Sequence, residues 1–160
     1  MAESRVSEGV QAPDFTLPST ADGSFTLAEQ RGRQNIVLFF YDRDGAGADI
    51  EQASAFRDAS ELFREQRAEI VGVGRGDLAL HRRFVADSQL PFQLLIDEDD
   101  AVAALYGAVR SQKLLFFTRR VFRRSTFVID RIGVVRRIFR DIDDAETHVN
   151  ELLGFMDTNL

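Results

Sequence analysis

The sequence predicts an α/β domain: a mixed central sheet flanked by helices, with a β-hairpin toward its N-terminal end. Three observations predict it. Short apolar runs alternate with stretches of helical periodicity, the pattern that winds a chain into β-α-β units around a parallel sheet. One run, Ile36-Val37-Leu38-Phe39-Phe40-Tyr41, is apolar throughout, as befits a strand covered on both faces. The last two runs are joined by only a few residues, a spacing that pairs them antiparallel and makes the sheet mixed. The chain has 160 residues, 44% of them hydrophobic, enough for one domain over residues 1–160 with its own core.

Taken in order, residues 1–12 read as an extended lead-in. Phe15-Thr16-Leu17 and Ser24-Phe25-Thr26-Leu27 flank a turn at Thr20–Gly23, where Asp22-Gly23 suits a tight hairpin. The run 36–41 is the first core strand, and 42–48, DRDGAGA, is a Gly-rich loop. A helix is expected from Asp49 to Gln66, with Ala53, Phe56, Ala59, Leu62 and Phe63 at helical spacing and Asp49 with Gln52 as a capping box. Residues 69–73 form the next strand. A helix over Leu78–Ser88 follows, ended by Leu90-Pro91. The run 92–96 is a third strand, and Asp97–Asp100 lead into a short helix ending near Gly107. Residues 108–123 carry no clear period. Residues 126–130 and 134–139 pair around a turn at 131–133. Asp143 or Asp144 caps a final helix whose inner stripe is Val149, Leu152, Leu153 and Met156. This order fits a thioredoxin-like domain, without internal repeat or linker.

The composition excludes much chemistry. There is no cysteine, which removes disulfides, thiolate nucleophiles, zinc–thiolate sites and iron–sulfur clusters together. No apolar run reaches the about 18 residues of a membrane span. The opening MAESRVSEGVQAP lacks the apolar centre of a secretory signal, so the cytoplasm is the expected compartment. The net charge of −6 is unevenly placed. Residues 110–140 hold ten of the twenty bases and one acid, Asp130, a local +9, so the remainder sums to −15. All the bases but Lys113 are arginine. A basic segment on an acidic chain meets an anionic ligand, a partner, or acids within the fold.

Several phrases together resemble the peroxiredoxin family (AhpC/TSA type), in particular its peroxiredoxin Q or bacterioferritin-comigratory branch. Ala12-Pro13-Asp14-Phe15-Thr16-Leu17-Pro18 is similar to the family's opening phrase. Ile36–Tyr41 with Asp42-Arg43-Asp44 resembles its first core strand and loop, and Ala53-Ser54-Ala55-Phe56-Arg57-Asp58 its helix phrase. His81-Arg82-Arg83-Phe84 with Leu90–Asp97 resembles the next two elements, and Arg124-Ser125-Thr126-Phe127-Val128-Ile129-Asp130 the late strand with the family's active-site arginine. The phrases span about residues 9–155 in the family's order.

The resemblance implies a thioredoxin-like fold and a thiol-peroxidase pocket, but this chain departs from the pattern where the chemistry resides. The family's threonine falls on Ala46, its peroxidatic cysteine on Asp49 and its resolving cysteine on Ser54; only the arginine remains, as Arg124. Peroxide reduction needs a polarisable thiolate that becomes a sulfenic acid and is recovered through a disulfide. A carboxylate cannot do this. The implied protein is a pseudoenzyme that acts by binding or regulation, with no cofactor. Asp49 has two compatible readings. It is an N-cap carboxylate, worth about 1 kcal/mol over alanine, or an internal anion paired with Arg124 that imitates a cysteine sulfinate.

The rival reading is a carboxylate-based enzyme, with or without a metal, in the same pocket. Asp42-Arg43-Asp44-Gly45 after an apolar strand resembles the aspartate pair of haloacid-dehalogenase-type phosphatases, yet Ala46 stands where Thr or Val belongs, and Asp99-Asp100 precedes the only lysine. Asp42, Asp44, Asp49 and Glu51 also resemble a calcium loop with Gly47 at its sixth position, but Ala53 occupies the twelfth. No metal site is therefore expected. His81 and His148 lack a triad-like partner in sequence and read as satisfied or surface histidines.

The stretch 113–124 joins Leu114, Leu115, Phe116, Phe117 and Phe122 to four arginines. It reads as a segment packed on its own core or as an interaction module, a homodimer contact with the apolar residues at its centre and the arginines on a partner's acids. Nucleic acid fits poorly with the acidic whole.

Overall fold

A computed structural model describes residues 6–160. In chain order, β1 (Thr16–Pro18) and β2 (Ser24–Thr26) form a hairpin, and a 3-10 turn follows at Leu27–Gln30. Then come β3 (Asn35–Phe40), α1 (Gly47–Asp58), α2 (Ser60–Glu65), β4 (Ala68–Gly74), α3 (Leu78–Ser88), β5 (Gln93–Ile96) and α4 (Ala101–Leu105). The chain closes with β6 (Val109–Lys113), β7 (Thr118–Phe122), β8 (Ser125–Ile129), β9 (Val135–Arg140) and α5 (Ala145–Asn159). The central sheet has the order β5-β4-β3-β8-β9. β3 runs parallel to β4 and antiparallel to β8, so the sheet is mixed.

β3 is buried along its whole length, and its alternate side chains serve opposite layers. Ile36, Leu38 and Phe40 pack with Leu95, Tyr106 and Phe127 on one face. Val37, Phe39 and Tyr41 meet Phe56, Phe63, Phe84 and Leu152, contributed by α1, α2, α3 and α5, on the other. Tyr41 packs closely on β4 because Gly74 has no side chain; a Cβ there would clash with the tyrosine ring. The crossovers leave the loop after β3 at the C-terminal edge of the parallel strands, where open α/β sheets bind ligands.

The helix expected over 49–66 begins at Gly47 and is broken at Ala59 (φ −100°, ψ 7°) into α1 and α2. Both Phe56 and Phe63 are fully buried across that break. Asp144, not Asp143, caps α5, accepting from the Thr147 amide at 2.9 Å. The unreadable segment 108–123 is the β6–β7 hairpin. Its faces carry charged and polar residues on both sides over most of its length, so no period-two apolar pattern marks it. Leu114 N–H bonds the Phe117 carbonyl at 2.8 Å, which leaves Leu115 and Phe116 as the apex of the turn.

Candidate functional site

The site lies where β3 ends and α1 begins. Ala46 is the N-cap residue of α1 and offers no side-chain bond. Asp49 sits in the first turn, but the capping box with Gln52 does not form; the loop folds over so that its own amides reach the carboxylate instead. Asp42 N–H donates to Asp49 Oδ1 at 3.1 Å and Arg43 N–H to Oδ2 at 2.9 Å. Arg124, at the entry to β8, brings Nη1 to 2.7 Å from Asp49 Oδ1. The Asp49 side chain is 2% exposed and that of Arg124 16%. One turn along α1, Gln52 Oε1 accepts from Arg124 Nη1 at 2.6 Å. Gln52 is buried, and its Nε2 has no hydrogen-bond partner among the described residues. Three donors thus converge on one buried carboxylate at a helix N-terminus, an anion hole filled by the chain itself.

The remaining carboxylates of the loop are drawn to separate partners. Asp42 accepts from Arg120 Nη1 at 2.6 Å. Arg120 in turn grips Asp100, Nε at 2.7 Å and Nη2 at 3.1 Å. Burial works against the Arg120 charge, but Asp100 and Asp42 outweigh it and hold the guanidinium above its ordinary range. This clasp ties the β6–β7 hairpin to the pocket rim. Asp44 turns inward instead. Tyr41 donates to its Oδ1 at 2.9 Å, and His81 Nδ1 lies 2.7 Å from its Oδ2. His81 Nε2 faces the carbonyls of Gly74 and Leu95 at 3.0 and 3.2 Å. Both ring nitrogens of His81 thus face oxygen atoms. Burial, with the Asp44 charge beside it, pushes the Tyr41 hydroxyl well above its ordinary pKa. His148 bonds Thr126 Oγ1 at 2.8 Å, and burial lowers its pKa to about 4.

Of the acids that resemble a calcium loop, Asp42, Asp44 and Asp49 point to Arg120, His81 and Arg124 respectively. Among the described residues, no group of three or more His, Cys, Asp or Glu is placed to hold a metal. Ser54, half-exposed, lines a groove against α5. Phe122 is half-buried rather than exposed: it packs against the core, with the guanidinium carbons of Arg120 and Arg124 at 5.7 and 5.5 Å from its ring centroid. Nor do three of the four nearby arginines await an outside acid, since Arg120, Arg123 and Arg124 pair with Asp100, Asp141 and Asp49. Leu114, Leu115, Phe116 and Phe117 remain exposed, Phe116 at 91%. Sequence reasoning gave Gln52 only a capping role and placed neither Arg120 nor Asp100 at the pocket rim. The one available signal was the position of Gln52, one turn beyond Asp49 on the same face.

Comparison with known proteins places these features in context. The AhpC/TSA family model matches residues 9–138. Peroxiredoxin Q, chloroplastic, of Oryza sativa subsp. japonica is 36% identical over 152 residues, covering 95% of this chain and 67% of the relative. The crystal structure of peroxidoxin BcpB from Mycobacterium tuberculosis superposes with a TM-score of 0.84 at 27% identity, covering 96% of this chain and 97% of that one. Peroxiredoxin Q of Xanthomonas campestris shares the fold at a TM-score of 0.84 and 23% identity, over 91% and 90% of the two chains. No helix among the described residues is long and apolar enough to cross a membrane.

Proposed function

The chain belongs to the AhpC/TSA family, and from that premise we propose a one-domain peroxiredoxin homologue that is silent as a thiol peroxidase and acts by binding. The observation that carries this reading is Asp49. It stands at the position the family resemblance gives to the peroxidatic cysteine, and its carboxylate already holds the donors of the pocket: two loop amides and Arg124. With no cysteine in the chain, no other residue can form the sulfenic acid and disulfide of the thiol cycle. Ala46 adds no hydroxyl and Ser54, in the groove against α5, no thiol, so of the family-equivalent positions Ala46, Asp49, Ser54 and Arg124 only Asp49 and Arg124 meet, as an ion pair.

A carboxylate-based enzyme in the same pocket is less well supported. A nucleophilic or metal-binding carboxylate needs an open approach, whereas Asp49 is almost fully buried with both oxygens accepting, and Asp42 and Asp44 have their own partners. The feature that supports a binding role is the β6–β7 tip, where Leu114, Leu115, Phe116 and Phe117 stand in water. In this reading the tip is a contact between two copies of the chain, with Phe122 as internal support. Hydrogen peroxide consumption with thioredoxin or dithiothreitol as reductant tests the silence, and a rate equal to the buffer blank is expected.

A further inference from the structure

We infer that the β6–β7 tip of one copy docks head-to-tail into an acidic groove of a second copy, formed by α1, α2 and α5. The inference rests on the reading of the tip as a self-contact and names the surface that receives it. The groove has a volume of about 580 Å³, within the about 300–1,000 Å³ typical of sites that hold an apolar group. Ala55, Leu62, Val149 and Leu153 give it an apolar floor, and Leu62 is 51% exposed. Its other walls carry Glu51, Asp58, Asp144 and Glu146, and no base lines it.

The tip is the chemical complement of this groove. Leu115 and Phe116 project at 89% and 91% exposure from the apex. Nearest the apex on the two strands stand Lys113 and Arg119, in adjacent pairs of the ladder, and among the described residues neither has an acid within ion-pair distance. A symmetric tip-to-tip contact would bring Lys113 and Arg119 of both copies together and repel. A tip-to-groove contact instead buries apolar apex on apolar floor and sets Lys113 and Arg119 against Glu51, Asp144 and Glu146, Asp58 being already paired with Arg57. Because the two surfaces differ, each copy still offers one of each after the first contact, so assembly proceeds to a ring or a chain.

Sedimentation velocity on the full chain at micromolar concentrations tests this. The wild type should self-associate, less so at high salt. Phe116→Glu at the tip and Leu62→Arg in the groove, both at exposed sites and both checked for wild-type circular dichroism, should each weaken association by about tenfold or more. Mixing the two variants should restore a capped 1:1 complex, because Leu62→Arg keeps a sound tip and Phe116→Glu a sound groove. Association that survives Leu62→Arg but not Phe116→Glu, or a mixture that stays monomeric, overturns the groove while leaving the tip as a self-contact. A wild type that is monomeric throughout overturns both. Monomers whose tip is instead captured by phosphatidylserine vesicles would likewise overturn both, in favour of a lipid surface.

Discussion

Replacing Asp49 by alanine removes the acceptor of two loop amides and the partner of Arg124 in one step. Stripping one member from a buried ion pair costs about 3–5 kcal/mol, because the other charge stays behind. The lower end applies here. Arg124 keeps 16% side-chain exposure and its 2.6 Å bond to Gln52, so the guanidinium is not stranded, and water can reach the half-open loop. The expected loss is about 3 kcal/mol, whereas a carboxylate acting only as a helix cap is worth about 1 kcal/mol. At about 2–4 °C per kcal/mol for a chain of this size, Tm should fall by about 6–12 °C. Urea denaturation at pH 7, followed by far-UV circular dichroism, gives the free energy directly; the midpoint should drop with the slope unchanged. Asp49→Asn keeps the shape and one carbonyl acceptor but not the charge, and should fall between wild type and alanine. A loss of about 1 kcal/mol or less for alanine would reduce Asp49 to a cap and refute the filled anion hole.

His148 gives a pH dependence of definite sign. Its folded pKa of about 4 lies below the unfolded value of about 6.5, so the unfolded chain takes up the proton first as the pH falls. Its contribution is complete above about pH 6.5 and is lost between there and about pH 4, a total on the order of 3 kcal/mol. His148→Gln should flatten this part of the stability–pH curve in urea titrations at pH 7 and pH 4.5; curves of equal slope would reject the assignment. Arg120→Ala should release the hairpin from Asp42 and Asp100. Amide exchange in β6 and β7 should accelerate about tenfold, the equivalent of about 1.4 kcal/mol, while β3 and β8 stay protected. Unchanged exchange in the hairpin would show that its strand pairing, not the clasp, holds it in place.

The core strands and most helices were legible because their patterns reflect burial: β3 is apolar throughout since both of its faces are covered, and α3 runs over the expected Leu78–Ser88. The site was legible only through the family resemblance. Asp49 and Arg124 meet across the fold, and no local period links two residues so far apart in the chain. The capping box failed for a physical reason: the amides that bond Asp49 belong to residues 42 and 43, upstream of the helix. Local spacing cannot reveal a loop that folds back over a helix end. Phe122 looked like surface because it sits in a run of arginines, yet those arginines stack on it and pair with acids of the same chain. Charge counts along a sequence do not show that cancellation. The β6–β7 hairpin, a ribbon largely clear of the core, lacks the apolar alternation by which strands are read.

The central claim is that a peroxidase pocket has been closed by its own anion, and the loss of hydrogen peroxide tests it most directly. Wild-type protein and an Ala46→Thr/Asp49→Cys variant are compared in the same assay, with dithiothreitol as reductant and after removal of contaminating peroxidases. The wild-type trace should overlay the buffer blank, and the variant, in which a hydroxyl and a thiolate stand beside Arg124, should consume peroxide above it. Wild-type turnover well above the blank would mean that the pocket reduces peroxide without a thiol.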